Sequence, residues 1–203
     1  MRKFLYLLTF PLLILAIQSC ALKNNNDSQF YLRDQVDFGY IRKIAILPFD
    51  NLTEDKYAAS RARELAITQV LSQRIFDVAD KGEVDSALKD EVIRPGQPLD
   101  PTSVKRLSQR LKVQAFLMGS VDSAGENRKG ASSFSEISLS LRLIDGKSAL
   151  VMWRASGHGS GYSVVDRLFG LNPSDAFKVT MDLIDRLLSS IPRMTDGGAT
   201  LTP

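Results

Sequence analysis

The chain has 203 residues, enough for one domain or at most two small ones. Its composition, 44% hydrophobic and 24% charged, is that of a globular protein and excludes a largely disordered chain. With one cysteine and one histidine, the chain has no internal disulfide, and cysteine zinc sites and histidine-rich metal sites are excluded.

The amino terminus has the layout of an export signal. Arg2 and Lys3 precede an uncharged apolar stretch over residues 4–17, as in a secretory signal peptide. A retained membrane span is the alternative, because no charged residue occurs between Lys3 and Lys23. Pro11 and the polar residues that end the stretch favour cleavage.

The single cysteine lies where a lipid-anchored protein needs it. The residues Ala16-Ile17-Gln18-Ser19-Cys20 resemble a bacterial lipobox, since the small Ser19 admits the signal peptidase to the scissile bond. Residues 1–19 are therefore predicted to be a lipoprotein signal peptide, and Cys20 is predicted to carry the lipid that attaches the chain to a membrane. Ala21 follows the cysteine, and by the sorting rule of enterobacterial lipoproteins this predicts the periplasmic face of the outer membrane.

Removal of the signal changes the charge and sets the domain boundaries. The full chain has a formal charge of +3, but without Arg2 and Lys3 it has 24 basic and 23 acidic residues. This near balance, together with export, excludes nucleic acid as a partner. Residues 20–40 are predicted to be a flexible tether, residues 41–192 a periplasmic domain and residues 193–203 a disordered tail.

The first half of the domain alternates short strands with amphipathic helices. Residues 42–49 form a nearly continuous apolar run, which is typical of a strand covered on both faces. A helix is predicted over residues 57–74 and a short strand over residues 75–79. Asp80 and Asp100 are predicted to cap two further helices.

The second half favours antiparallel pairing. Strands are predicted over residues 115–121, 137–143 and 150–156, and the middle one alternates apolar with polar residues. A last helix is predicted over residues 173–191, capped by Asn172. The order β-α-β-α-α-β-β-β-α predicts an α/β fold with a single mixed five-stranded sheet and helices on both faces.

Four stretches resemble the curli-secretion (CsgG) lipoprotein superfamily. The first, Ile44-Ala45-Ile46-Leu47-Pro48-Phe49-Asp50-Asn51-Leu52-Thr53, is similar to that group's opening strand. Residues 76–80, residues 115–121 and residues 143–145 with 151–153 follow in the same order. The superfamily includes lipoprotein activators of penicillin-binding proteins, and its fold is similar to the amino-terminal domain of TolB. The resemblance implies a non-enzymatic envelope protein that works by binding or assembly.

A glycine-rich stretch is the most enzyme-like part of the sequence. Gly157–Gly161 follows a predicted strand and could present N–H groups to an anion. A periplasmic hydrolase or small-ligand-binding domain that uses this loop is therefore the alternative function, with His158 and Ser160 as its reactive side chains. A flexible or bulged strand end is the plainer interpretation.

An acidic cluster follows the first predicted strand of the domain. Asp50, Glu54 and Asp55 could hold a hard cation or perform acid–base chemistry. Compensation of the next helix's dipole explains them more simply. No catalytic residue, metal ligand or cofactor site is predicted.

Two surfaces are candidate partner contacts, with core packing and plain solvation as their respective alternatives. The first is an apolar segment whose contact residues are Tyr162, Val165, Leu168 and Phe169. The second is the basic face of a helix, formed by Lys105, Arg106 and Arg110. The chain is thus predicted to be an envelope accessory factor for assembly, secretion or biogenesis, acting through an envelope protein partner or a self-oligomer.

Overall fold

A seven-stranded mixed sheet organises the part of the chain that the computed structural model describes, which is residues 28–34, 36–129, 132–162 and 172–192. Four helices accompany the sheet in these residues. In chain order the elements are β1 Ser28–Leu32, β2 Lys43–Ile46, β3 Asp50–Asn51, α1 Ala58–Ser72, β4 Asp77–Val78, α2 Lys81–Asp90, α3 Pro101–Leu111, β5 Ala115–Lys129, β6 Ser132–Asp145, β7 Val151–Ser160 and α4 Ala176–Leu188.

The sheet joins a parallel part to an antiparallel part. Its strands lie in the order β1-β7-β6-β5-β2-β4, and the short β3 pairs with β5. Strand β2 is parallel to both β4 and β5, whereas the pairs β5–β6, β6–β7 and β7–β1 are antiparallel. The predicted mixed α/β sheet is confirmed. The predicted count of five strands is wrong, because β1 and β3 add two short strands.

Helices cover both faces of the sheet, as predicted. On one face α1 and α4 enclose a core that includes Leu117, Leu141 and Trp153. On the other face α2 and α3 pack on Ala45 and Phe116. Burial of these apolar side chains from water is the main term that stabilises the fold.

Strand β1 lies inside the segment that the sequence predicts as a flexible tether. Its five residues pair antiparallel with β7, from Ser28 opposite Gly157 to Leu32 opposite Trp153. All five are exposed, so the strand shows no alternation of buried and solvated positions. Residues Ser28–Leu32 therefore belong to the sheet, although the sequence assigns them to the tether.

Two of the three predicted helix caps are confirmed. The Asp80 carboxylate accepts a hydrogen bond from the Glu83 N–H, and that of Asp100 accepts from two N–H groups at the start of α3. The prediction for the last helix is wrong, because α4 begins at Ala176 and Asp175 caps it instead of Asn172.

The β5–β6 hairpin extends well beyond the predicted strands. Its register runs from Ala115 opposite Asp145 to Lys129 opposite Ser132, with a bulge between Val121 and Ser123. The outer half of the hairpin is polar, which is why its sequence does not suggest strands. Within the described residues, no helix is long and apolar enough to cross a bilayer.

Candidate functional site

The Gly157–Gly161 stretch is a strand end and not a loop. Residues 157–160 belong to β7, and Gly161 donates its N–H to the Ser135 carbonyl at 2.8 Å. A Cβ atom at Gly161 would overlap the carbonyl oxygen of Ser174 and lie 3.2 Å from the Val179 side chain. Glycine is needed here because α4 and its preceding turn pack closely on the strand, so the stretch is not an anion-binding turn.

His158 contacts Ser138, and not Ser160, which the sequence suggests as the second reactive side chain. Its Nδ1 lies 3.2 Å from Ser138 Oγ, and its Nε2 lies 4.0 Å from a carboxylate oxygen of Glu136. Ser160 Oγ instead accepts a hydrogen bond from the Tyr162 N–H. Only the β6–β7 register, with Ser138 opposite His158, brings these side chains together.

Within the described residues, the backbone around this serine–histidine–acid group is already paired in the sheet. A hydrolase also needs N–H donors for the oxyanion that forms during acyl transfer. Strand β6 lies between β5 and β7, so the backbone around Ser138 is engaged in ladders on both sides. Both Glu136 and His158 are partly exposed on an open sheet face. The described geometry is therefore that of a polar side-chain cluster on the sheet surface.

The acidic cluster serves the start of α1. Asp55 accepts a hydrogen bond from the Tyr57 N–H at 2.9 Å and forms an ion pair with Arg61. The Arg61 hydrogen bond, followed by that of the Tyr57 N–H, lowers the pKa of Asp55. Among the described residues, no group of three or more potential ligands could hold a metal ion. Compensation of the α1 helix dipole therefore accounts for Asp55. Asp50 instead lines a cleft next to Arg142.

The basic face of α3 is partly neutralised by neighbouring carboxylates. Arg106 pairs with Glu91 at 2.9 Å, and Arg110 pairs with Asp90 at the end of α2. Lys105 is exposed. The proposed contact role of this face stays a prediction.

Tyr162 is the member of the predicted apolar contact surface that the structure describes. Its ring stacks on Phe134 with centroids 5.4 Å apart and an interplanar angle of 28°. It therefore packs on the β6 strand. Val165, Leu168 and Phe169 lie outside the described residues, as does Cys20.

The outer edge of β1 is a further candidate contact surface, and the sequence does not predict it. This strand is at the end of the sheet, so one side of its backbone has no strand partner among the described residues. Phe30 is 64% exposed, and Tyr31 and Leu32 are exposed as well. Unpaired edges with exposed apolar side chains are sites where another strand can add.

No family model matches the chain, and no curated protein matches it. Several solved structures do match the fold of this chain. PelC from Paraburkholderia phytofirmans, solved as a dodecamer, has a TM-score of 0.57 at 20% identity, covering 81% of this chain and 95% of PelC.

Two further structures share the fold. Lipoprotein GNA1162 from Neisseria meningitidis gives a TM-score of 0.52 at 18% identity, covering 74% of this chain and 94% of its own. The hypothetical protein CT253 from Chlamydia trachomatis gives 0.50 at 10% identity, with coverages of 74% and 95%. At these identities the likeness shows a shared fold. The specific resemblance to curli-secretion lipoproteins and to TolB stays a prediction.

Proposed function

We propose that this chain is a lipid-anchored envelope protein that works by protein–protein contact, with a second copy of itself as the first partner. The observation that carries the proposal is the apolar edge of β1, which has no strand partner among the described residues. Antiparallel addition of a strand at this edge would satisfy backbone hydrogen bonds and cover Phe30 and Leu32. The fold likeness to PelC, which was solved as a dodecamer, supports self-assembly as the mode of contact.

The position of β1 in the chain supports a membrane-proximal role. Only seven residues separate Cys20 from Ser28, and a fully extended chain spans at most about 3.3–3.6 Å per residue. A lipid on Cys20 would therefore hold β1 within roughly 30 Å of the membrane surface. Anchoring also concentrates the copies in two dimensions, which favours association. The periplasmic face of the outer membrane is the proposed location, and assembly, secretion or envelope biogenesis is the proposed process.

Site-specific photo-crosslinking in intact cells tests the proposal. A photoreactive residue replaces Tyr31 on β1 or, as the control, Lys89 on the exposed side of α2. The expected result is a covalent dimer from position 31 and none from position 89. A heteromeric product at position 31 would replace self-association with an envelope partner. Monomer alone at position 31, with the protein correctly localised, would contradict a contact role for β1.

A further inference from the structure

Two arginines lie side by side on an open part of the sheet. Arg142 on β6 is directly opposite Arg154 on β7, so the two side chains project from the same face. Their chain neighbours Leu141, Leu143 and Trp153 are buried on the other face, under α1 and α4. Both arginines are exposed.

This pairing is electrostatically unfavourable without an anion. Like charges directly opposite each other on adjacent strands destabilise a sheet. Neither guanidinium lies within 4.0 Å of a carboxylate in the described part of the chain. The nearby Asp122 carboxylate accepts hydrogen bonds from the hydroxyls of Ser120 and Ser140 at 2.6 and 2.7 Å.

A small cleft opens at the arginine pair. It has a volume of about 90 Å³, and its walls include both arginines, Asp50, Ser120 and Ser140. Two arginines against Asp50 leave an excess of positive charge in the wall. Guanidinium groups bind carboxylate and phosphate oxygens through paired N–H donors, whereas the hydroxyls of Ser120 and Ser140 already donate to Asp122.

A second cleft of about 160 Å³ adjoins the first one, shares Asp50, Gly119 and Arg142 with it, and has both polar and apolar walls. Its apolar walls come from the end of β2, from α2, from the segment after α2 and from β5. They comprise Leu47, Leu88, Ile93, Leu99 and Met118.

The segment after α2 forms one wall of this cleft. Gly96 has φ of +77°, a left-handed conformation that favours glycine. A Cβ atom there would lie 3.3 Å from a carboxylate oxygen of Asp50, so the segment passes close to the floor of the cleft. The whole feature lies beyond the carboxyl end of the parallel strand β2, where open α/β sheets bind ligands.

We propose that these adjoining clefts form a binding site for a small amphiphilic anion, with its oxyanion on Arg142 and Arg154 and its apolar group against Ile93, Leu99 and Met118. A carboxylate or a phosphate satisfies the same arginine pair. The two cleft volumes match the size of a single aryl or short acyl group. The site lies on the opposite sheet face from α1 and α4, and it does not depend on self-association through β1.

Isothermal titration calorimetry on the detergent-solubilised full-length protein tests this site. Phenyl phosphate and benzoate are the probes, because they dissolve freely and partition little into detergent. Benzyl alcohol and inorganic phosphate are the partial ligands that supply only the apolar or only the anionic group. The expected result is that at least one probe binds about tenfold more tightly than either partial ligand. The tighter probe identifies the oxyanion as phosphate or carboxylate.

Matched arginine variants assign the binding to this cleft. Arg142→Gln and Arg154→Gln are each expected to raise the Kd of the tighter probe by at least about tenfold, since a charge-assisted hydrogen bond is lost. Arg128→Gln, an exposed arginine far along the β5–β6 hairpin, is expected to leave the Kd unchanged. Equal weakening by Arg128→Gln, equal binding of probe and partial ligand, or no binding of either probe would each overturn the proposal.

Discussion

The Tyr40 hydroxyl donates a hydrogen bond of 2.6 Å to the Asp145 carboxylate, which joins the segment before β2 to the end of β6. Ser148 donates to the other oxygen of the same carboxylate through its N–H and its hydroxyl. Burial, followed by the bond to Asp145, raises the pKa of Tyr40 above its ordinary value. Burial opposes ionisation of Asp145, but the hydrogen bonds from Ser148 and Tyr40 outweigh it and lower the pKa of that carboxyl.

These two pKa shifts predict that the hydrogen bond between Tyr40 and Asp145 stabilises the fold at neutral pH and loses its effect at both low and high pH. The contribution of Asp145 is present above its ordinary pKa of 3.8 and is lost as the pH falls through its lower folded value. The contribution of Tyr40 is present below its ordinary pKa of 10.0 and is lost as the pH rises toward its raised folded value. Tyr40→Phe is expected to lower the free energy of unfolding by about 1 kcal/mol at neutral pH and to flatten its decline above pH 10. Urea unfolding at pH 7 and pH 10.5 measures both effects, and an unchanged alkaline slope would contradict the assignment.

An ion pair between a buried arginine and a partly exposed aspartate joins two helices on opposite faces of the sheet. The Arg63 side chain is 5% exposed, donates to the Ile46 carbonyl at 2.8 and 3.0 Å, and lies 2.7 Å from the Asp85 carboxylate. Arg63→Ala is expected to cost about 3–5 kcal/mol of unfolding free energy, because it removes these bonds and leaves a cavity. The exposed pair of Lys81 and Glu64 is the control, and Lys81→Ala should cost less than about 1 kcal/mol. If chemical denaturation gave the same loss of unfolding free energy for both variants, the buried Arg63 guanidinium would contribute no more to stability than the exposed pair.

The glycines at the end of β7 are predicted to matter for packing. Gly161→Ala places a methyl group against the Ser174 carbonyl, so it should destabilise the fold by roughly 1–3 kcal/mol. Gly125→Ala is the matched control, because a Cβ atom there meets no atom within 4 Å. Thermal unfolding of the two variants distinguishes them. If Gly161→Ala were as stable as Gly125→Ala, the close approach of the chain at Ser174 would be incorrect.

Local patterns in the sequence predict the parts of the fold that depend on local chemistry. The Asp100 cap and the alternation from Ile137 to Leu143 follow from neighbouring residues, and both are confirmed. Strand β1 escapes prediction because all its residues are exposed and its conformation depends on backbone pairing with β7. The same holds for the polar outer half of the β5–β6 hairpin.

Candidate sites are hard to predict from the sequence for the same reason, because they depend on which strands pair. Arg142 and Arg154 are separated along the chain, as are Ser138 and His158, and only the β6–β7 register brings each pair together. A sequence shows which residues could react or bind, but not the strand register. Gly157–Gly161 shows the converse error: two of the glycines that suggest a ligand loop, Gly159 and Gly161, instead make room for the close packing of α4 and the segment before it.

Lipidation is predicted to depend on the single cysteine. Cys20→Ser removes the thiol that would carry the diacylglyceryl group, so metabolic labelling with palmitate should be lost and the protein should be unprocessed or released from the membrane. Ser19→Ala keeps a small residue before the cysteine and is expected to be processed normally. Palmitate labelling and membrane fractionation of intact cells measure the outcome. Normal processing and membrane attachment of Cys20→Ser would contradict the lipobox.

The serine–histidine pair on the open sheet face is predicted to be dispensable for function. Ser138 and His158 lie within hydrogen-bond distance, yet the β6 backbone offers no free N–H for an oxyanion. Ser138→Ala and His158→Ala are therefore expected to leave both the growth of the host cell and the photo-crosslink at position 31 unchanged. Tyr31→Asp, which puts a charge on the β1 edge, is expected to abolish the crosslinked dimer when the photoreactive residue is moved to position 30. If the serine and histidine variants lost function while the dimer persisted, a hydrolytic role for this face would have to replace the contact role.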